Sequence, residues 1–160
     1  LSIRVGGDEL DQAIINWVKR EFSLLLGERT AEEIKMAIGS AFPLPGEPDA
    51  EIRGRDLMTG IPKEITVSYQ EVAHALDKSI TKIETAILNA LEMTPPELSA
   101  DIYRTGLYLA GGGSMLRGLD KRISLKTKLP VHIAEDPLRA VVRGTGIALK
   151  NIGNFKFLMQ

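Results

Sequence analysis

Apolar side chains recur every three or four residues along much of this chain, which is the spacing of helices that bury one face. The first such stretch follows a strand-like run over residues 2–5, and it predicts a helix with Asp8 as N-cap that ends at Gly27. The predicted buried stripe of this helix consists of Leu10, Ile14, Val18, Phe22 and Leu25.

Capping boxes indicate where two further helices begin. Thr30 with Glu33 opens a short helix, and Ser68 with Glu71 opens the longest one, over residues 69–93. The apolar positions of the long helix repeat with heptad-like spacing. This spacing fits either a coiled-coil seam or a helix packed on a core, and the second is the preferred interpretation. These positions are Val72, Leu76, Ile80, Ile83, Ile87 and Leu91.

Alternating apolar and polar residues predict a hairpin of strands over residues 50–57 and 63–69. A short helix over residues 96–105 then leads to a buried strand, "LYLA", at residues 107–110. The next helix turns Leu116, Leu119 and Ile123 inward, and a second strand at residues 131–135 follows it. Asp136 is expected to cap the last helix, with Pro137 at its first position.

This order of elements predicts an α/β fold. A strand, a helix and a second strand near the C-terminus form a compact unit with a parallel pair. We expect both ends of the chain to build one α/β layer, with residues 28–92 as an inserted, mostly helical subdomain. Because the chain lacks an initiator Met and opens in a strand-like run, we expect it to be part of a longer protein.

Composition excludes several classes of function. The 160 residues include no cysteine, which rules out disulfides and thiol catalysis and fits a reducing compartment. The formal net charge of −1 gives no sign of a nucleic-acid or membrane surface. No apolar run approaches the roughly 20 residues of a membrane-spanning helix.

Three successive glycines, Gly111 to Gly113, lie between the "LYLA" strand and the following helix. Ligands bind at the carboxyl ends of parallel strands, and glycine lets a phosphate, sugar or base approach the backbone. The stretch matches neither the dinucleotide fingerprint nor the P-loop, since Leu116 and Leu119 stand where glycine and lysine would be needed. From the residues alone, a tight turn without ligand and a nucleotide-binding loop remain equally open.

Other candidate chemistry is sparse. His74 and His132 have no Cys partner and no His-x-x-x-His spacing, so no zinc site is indicated. Ser114 lies outside any G-x-S-x-G elbow, and no catalytic pair is found. Glu32, Glu33 and Lys35 are read first as a solvated charged face.

Three stretches together resemble the C-terminal half of MreB proteins, the bacterial actin homologues that determine rod shape. They cover residues 4–43, 91–123 and 134–149, and the resemblance extends over essentially the whole chain. It implies half of an actin-like (ribonuclease H-like) ATPase superfold. Subdomain IIA would comprise residues 1–27 and 93–160, and residues 28–92 would form a small α+β insertion, subdomain IIB.

The resemblance gives the glycines a function. Residues matching the family's adenosine motif are Gly111, Gly112, Gly113 and Ser114. Those matching the stretch that approaches adenine and ribose from the other side are Glu32, Glu33, Ile34 and Lys35, with Glu32 and Lys35 as the expected polar contacts. Gly144 and Gly146 fall in the helix that resembles the connection between the two large domains.

The family's phosphate-binding D-x-G hairpins, its hydrolytic acid and its Mg²⁺ environment are absent from this sequence. The resemblance therefore leaves ATPase activity undecided for this chain and implies that it binds ATP weakly or not at all alone. Phosphoryl transfer depends on charge stabilisation at the γ-phosphate, for which this chain supplies no motif.

The resemblance also implies partners and a location. The complete protein is expected to form head-to-tail filaments with Mg²⁺ and ATP, to bind the RodZ-type membrane-anchored shape protein, and to act with the cell-wall elongation machinery. It would lie in the cytoplasm at the inner face of the membrane, with membrane contact only through the N-terminal half. Alternatives are an interaction module without catalysis, and half of another actin–Hsp70-type ATPase or sugar kinase.

Overall fold

The computed structural model describes residues 2–42 and 48–151. The described helices are α1 (Gly7–Phe22), α2 (Glu28–Ile38), α3 (Tyr69–Glu92), α4 (Pro96–Thr105), α5 (Leu119–Thr127) and α6 (Ala140–Lys150). The described strands are β1 (Leu24–Leu25), β2 (Ala50–Asp56), β3 (Pro62–Val67), β4 (Leu107–Leu109) and β5 (Val131–Ile133). Strands β1, β2 and β3 form an antiparallel sheet, and β4 pairs in parallel with β5. The predicted α/β class is confirmed.

Helix α1 lies at the centre of the core, against α2 and α3. Leu10, Ile14 and Val18 of its predicted stripe are buried, as expected. Phe22 is only partly buried, and its ring packs edge-on against Trp17 with 5.5 Å between the ring centroids. The 3.6-residue periodicity therefore identified the buried face correctly for three turns.

The predicted ends of α1 were wrong. Gly6, with an extended backbone, is the N-cap, and Asp8 lies inside the first turn, where its charge suits the helix dipole. The helix stops at Phe22 because Ser23 adopts a left-handed conformation with φ 51°. The residues expected to extend the helix instead form β1, in which Leu24 is fully buried.

Strand β1 pairs with β2 because Gly54 leaves room for it. Leu24 is opposite Asp56 and Leu25 is opposite Arg55 in the antiparallel register. A Cβ added at Gly54 would lie 2.5 Å from the carbonyl oxygen of Leu25, closer than any side chain tolerates. This glycine is therefore required for the close approach of the two strands.

The predicted hairpin of β2 and β3 is confirmed, with Ile52 opposite Ile65 in the register. Its turn is held by the carboxylate of Asp56, which accepts hydrogen bonds from the backbone N–H groups of Met58 at 2.7 Å and Thr59 at 3.1 Å. These two hydrogen bonds, helped by Lys63, lower the pKa of Asp56. The turn thus prefers the ionised form of this side chain.

One of the two predicted capping boxes is present. The Ser68 hydroxyl accepts from the backbone N–H of Glu71, and the Glu71 carboxylate accepts from that of Ser68. The predicted Thr30–Glu33 box was wrong, because α2 already begins at Glu28 with Gly27 as N-cap.

Helix α3 packs on the core rather than forming a coiled-coil seam. Val72, Leu76 and Ile80 are completely buried in the same cluster as α1. Farther along the helix, Ile83, Ile87 and Leu91 are only partly buried. The first half of the helix therefore contributes most of its burial.

Arg122 of α5 joins three parts of the chain. Its guanidinium lies 2.7 Å from Glu84 and 2.8 Å from Asp77, both on α3, and donates to the carbonyl of Ala41 at 3.1 Å. Burial by itself lowers the pKa of Arg122, but the hydrogen bonds that its guanidinium donates to Glu84 and Asp77 outweigh this effect and raise that pKa. The side chain remains charged and fixes α5 against α3.

The predicted parallel pair is present, but its surroundings differ from expectation. The strand expected at residues 2–5 was wrong, because these residues form no strand and no described strand pairs with them. The "LYLA" strand is not buried either, since 70% of the surface of Tyr108 is exposed and its ring lies beside His132.

The C-terminal helices begin later than predicted. A 3-10 turn, Gly112–Met115, follows β4, and α5 starts only at Leu119. Leu116, Leu119 and Ile123 are nevertheless buried as expected. Asp136 was wrong as the cap of the last helix: it has φ 49°, Pro137 lies in the following turn, and Arg139 is the N-cap of α6. Among the apolar residues left exposed at this end are Leu138, Val141, Val142, Ile147 and Leu149.

Candidate nucleoside site

The glycine loop comprises Gly111 to Ser114 and leaves β4 in a conformation that favours glycine. Gly111 has φ 84°, in the left-handed region. The Ser114 hydroxyl donates to the Gly111 carbonyl at 2.7 Å, and its backbone N–H donates to the same oxygen at 3.2 Å. Ser114 is buried and braces the loop from within, so its hydroxyl proton is used inside the loop.

The loop is tied to the turn that follows β5, and its middle is open. Gly111 donates its backbone N–H to the carbonyl of Pro137 at 2.8 Å. A Cβ at Gly112 would lie 3.3 Å from Leu138, whereas a Cβ at Gly113 would meet no atom within 4 Å. Gly112 and Gly113 are both exposed. The loop therefore presents bare backbone to the outside, as a ligand-binding loop requires.

The four predicted residues of α2 point in different directions. Glu32 is exposed, and Glu33 forms an exposed ion pair with Arg29 at 3.0 Å. Ile34 is buried in the core. Lys35 turns toward α1, where its ammonium lies 2.8 Å from one carboxylate oxygen of Asp11 and 2.9 Å from the other.

The amino end of α1 contacts Lys35 and shares a cavity with the glycine loop. The Lys35 ammonium donates to the carbonyl of Gly7 at 3.4 Å. Gly6, the neighbouring residue, lines a small cavity of about 170 Å³ together with Ala110, Gly113 and Ser114. Segments far apart in sequence are thus brought to one place by α1.

A second connection joins α2 to the segment after the glycine loop. Arg117 donates to the carbonyls of Met36 and Ala37 at the end of α2. Ala41 donates its backbone N–H to the carbonyl of Arg117 at 2.8 Å, and Ser40 forms a parallel bridge with Arg117. These bonds hold the end of α2 next to the segment that follows the glycine loop.

Sequence reasoning missed the role of Asp11. The sequence predicts only that Asp11 lies in the first helix, whereas the residue is 8% exposed and lies on the buried face of α1. A carboxylate between Leu10 and Ile14 in an apolar stripe is a signal that the sequence did contain, because a buried acid needs a cationic or hydrogen-bonding partner.

Residues 2–42 and 48–151 contain neither a metal-binding cluster nor a membrane-spanning helix. No group of three or more His, Cys, Asp or Glu side chains there is placed to hold a metal ion. None of the described helices combines the length and apolar character needed to cross a bilayer.

Residues 1–157 match the model of the family described as MreB/Mbl protein. The chain belongs to the MreB/Mbl family. It is 48% identical over 151 residues to the cell shape-determining protein Mbl of Bacillus cereus, and 48% identical over 151 residues to the cell shape-determining protein MreB of Escherichia coli K12. Each alignment covers 94% of this chain but only 45% of the Mbl and 44% of the MreB sequence. This MreB/Mbl chain therefore spans less than half the length of these relatives.

Solved structures agree on the fold. MreB5 of Spiroplasma citri bound to ADP superimposes with a TM-score of 0.90 at 38% identity, covering 94% of this chain and 46% of that protein. The AMPPNP-bound form of the same protein gives a TM-score of 0.90 at 36% identity. A MamK double helical filament, at 22% identity and a TM-score of 0.70, shares the fold alone. The MreB/Mbl chain thus has the architecture of one part of an actin-like ATPase.

Proposed function

We propose that this chain is the adenosine-binding half of a nucleotide-dependent filament protein that determines rod cell shape. The observation that carries the proposal is the open glycine loop at the end of β4, where a methyl group on Gly113 would meet no atom within 4 Å. The loop lies next to the amino end of α1, which Lys35 also contacts. Gly111, Gly112, Gly113 and Ser114 would form one wall of the site.

Membership of the MreB/Mbl family supports the same proposal. Two solved MreB5 structures with high similarity were obtained with ADP and with AMPPNP. In the proposed arrangement, residues 1–27 and 93–160 form subdomain IIA, and residues 28–92 form subdomain IIB. Glu32 is exposed on α2 and would approach the base or ribose, with the exposed Glu33 beside it. Ile34 is buried and would support this wall from the core.

Phosphate binding and hydrolysis would depend on the part of the protein outside this chain. Mg²⁺ and the γ-phosphate need charge-stabilising groups, and the D-x-G hairpins that supply them in the family are absent from this sequence. We therefore expect the isolated chain to bind ATP weakly or not at all. The missing charge-assisted hydrogen bonds are worth roughly 1.5–3 kcal/mol each.

Substitution of Gly113 by valine tests the site directly in the complete protein. The new side chain enters open space, so the fold is expected to persist while the nucleoside is blocked and ATP affinity falls at least about tenfold. Gly27→Val is the matched control, because a Cβ at Gly27 also meets nothing within 4 Å. Titration calorimetry with ATP measures both variants, and an unchanged affinity in Gly113→Val would overturn the assignment.

Head-to-tail self-association is part of the proposed function. A heterologous contact that does not close produces a filament, which suits a protein that determines the shape of a whole cell. ATP-dependent pelleting of the complete protein in an ultracentrifuge tests this, and a soluble, nucleotide-independent monomer at all concentrations would contradict it.

A second candidate function is docking of a RodZ-type membrane-anchored shape protein on subdomain IIA, next to the cell-wall elongation machinery at the inner membrane face. Exposed apolar side chains on α4 favour it, since Leu98 and Tyr103 are both more than half exposed. Binding of a RodZ cytoplasmic domain to this chain, and its loss in Tyr103→Glu, is the expected result. The absence of binding at high micromolar concentration would remove this candidate.

A further inference from the structure

Asp11 and Lys35 form a buried ion pair that holds the lysine side chain in one position. Both side chains are largely buried, with 12% of Asp11 and 15% of Lys35 exposed. The lysine ammonium lies within 2.9 Å of both carboxylate oxygens. A buried charge of this kind is costly without its partner, so each residue fixes the position of the other.

The pair joins two elements that the proposed site needs together. Asp11 belongs to α1, Lys35 belongs to α2, and the same ammonium donates to the Gly7 carbonyl at 3.4 Å. A Cβ at Gly7 would lie 3.5 Å from the lysine nitrogen, an ordinary contact distance, which shows how closely the ammonium lies beside this part of the backbone.

The backbone that the ammonium contacts adjoins a residue that borders the glycine loop. Gly6, next to Gly7, shares a cavity of about 170 Å³ with Gly113. An ammonium carries three N–H donors, and Asp11 and Gly7 engage two of them. The second carboxylate oxygen of Asp11 lies 2.8 Å from the ammonium without forming a hydrogen bond, so a ligand between α2 and the loop would compete with it for the third donor.

We propose that Asp11 is a positioning residue for the nucleoside site: it holds the Lys35 ammonium beside the amino end of α1 so that Lys35 donates to the nucleoside. The proposal rests on the proposed function and extends it, since Asp11 itself touches no nucleotide. A lysine on its flexible four-carbon stem would otherwise turn toward solvent, and the donor would have to be ordered at each binding event.

The chain offers a matched control on the same helix. Glu9 of α1 also forms an ion pair across elements, with Lys82 of α3 at 2.9 Å, but both side chains are substantially exposed. Glu9→Gln therefore also removes one negative charge from α1, but from an ion pair that does not involve α2. Asp11→Asn, Lys35→Met and the double variant complete the set.

The test measures ATP affinity by titration calorimetry and thermal stability by calorimetry, in the complete protein that contains these residues. Asp11→Asn and Lys35→Met are each expected to weaken ATP binding about tenfold, and the double variant no more than Lys35→Met alone. Glu9→Gln should stay within about twofold of the unsubstituted protein. Independent effects that multiply to about a hundredfold in the double variant would overturn the proposal.

A purely structural role gives a different result. Asp11→Asn would then lower the melting temperature while the folded molecules bind ATP normally, and this outcome overturns the proposal. If Asp11→Asn does not fold, the exchange variant Asp11→Lys with Lys35→Asp restores the pair with the ammonium on α1. The proposal expects this exchange variant to fold and to bind ATP weakly, and normal affinity would refute it.

The same titration separates the positioning role from the proposed function. If the unsubstituted complete protein fails to bind ATP, the proposed function and the positioning role both fall. If it binds ATP and Asp11→Asn behaves like Glu9→Gln, only the positioning role falls.

Discussion

At Gly54 the chain has no space for even a methyl group. The obstacles to a Cβ are the carbonyl oxygen of Leu25 at 2.5 Å and the Leu24 side chain at 2.9 Å. The first of these is backbone and cannot rotate away. A single residue without a side chain therefore decides whether β1 can join the hairpin sheet.

Gly54→Ala is expected to destabilise this chain by about 2 kcal/mol, because overpacking against a fixed backbone forces β1 and β2 apart. Urea denaturation followed by circular dichroism measures the change. Gly144→Ala is the control, since a Cβ at Gly144 meets nothing within 4 Å and alanine is the better helix former. Equal stability of Gly54→Ala and the unsubstituted chain would show that β1 is not held against β2.

Asp56 gives the hairpin a dependence on pH. Its pKa is lowered in the folded state by hydrogen bonds from the N–H groups of Met58 and Thr59. The ionised carboxylate therefore stabilises the fold above the unfolded-state pKa of about 3.9, and this contribution is lost as the pH falls through the lower folded-state value.

The stability difference between the unsubstituted chain and Asp56→Asn should be constant from neutral pH to about pH 5 and should shrink below about pH 4. Denaturation midpoints at a series of pH values test this. Asp101→Asn serves as the comparison, because its carboxylate pairs only at the surface with Arg104. A difference for Asp56→Asn that grows on acidification would contradict the prediction.

At the scale of the elements, the sequence was informative where the signal was local. Ser68 and Glu71 satisfy each other within one turn, so their capping box was predictable. Thr30 and Glu33 show the same pattern, but Glu33 pairs with Arg29 in a helix that starts earlier. A cap motif therefore predicts a helix more reliably than it predicts the first residue.

The same difference between local and long-range signals applies to the candidate site. The glycine loop was predictable because its position at a strand end is visible in the sequence. The Asp11–Lys35 pair was not, because it joins residues 24 positions apart whose proximity depends on how α1 packs against α2. The prediction of a strand at residues 2–5 was wrong for a similar reason. A strand needs a second strand to pair with, and its own sequence does not reveal whether one is present.

Arg122 permits a prediction about how the elements are held together. Arg122→Ala would leave the Glu84 carboxylate, whose side chain is 8% exposed, buried without its cation. We expect a loss of about 3 kcal/mol in the free energy of unfolding, within the range for broken buried ion pairs. Arg104→Ala, which removes an exposed ion pair with Asp101, should change stability by less than about 0.5 kcal/mol. A comparably small loss in Arg122→Ala would show that water replaces the guanidinium.

At the scale of the whole molecule, the two sheets and six helices of the described residues form an actin-like fold whose faces are unevenly covered. The core centres on α1, α2, α3 and the β1–β2–β3 sheet. In contrast, β4, β5 and α6 display apolar side chains that include Tyr108, Val141 and Val142. The α/β class was predictable from the order of elements, whereas the uneven burial was not, because it depends on what covers each face.

The bonds that Arg117 and Arg122 make to the segment after α2 also bear on the order in which the chain folds. The hydrogen bonds of Arg117 with Ala37 and of Arg122 with Ala41 close loops of 80 and 81 residues, whereas β2 and β3 join through a short turn. Closing a long loop costs entropy before the contact is gained, so α5 should dock after the rate-limiting barrier. Arg122→Ala should then accelerate unfolding in stopped-flow experiments and leave the refolding rate nearly unchanged.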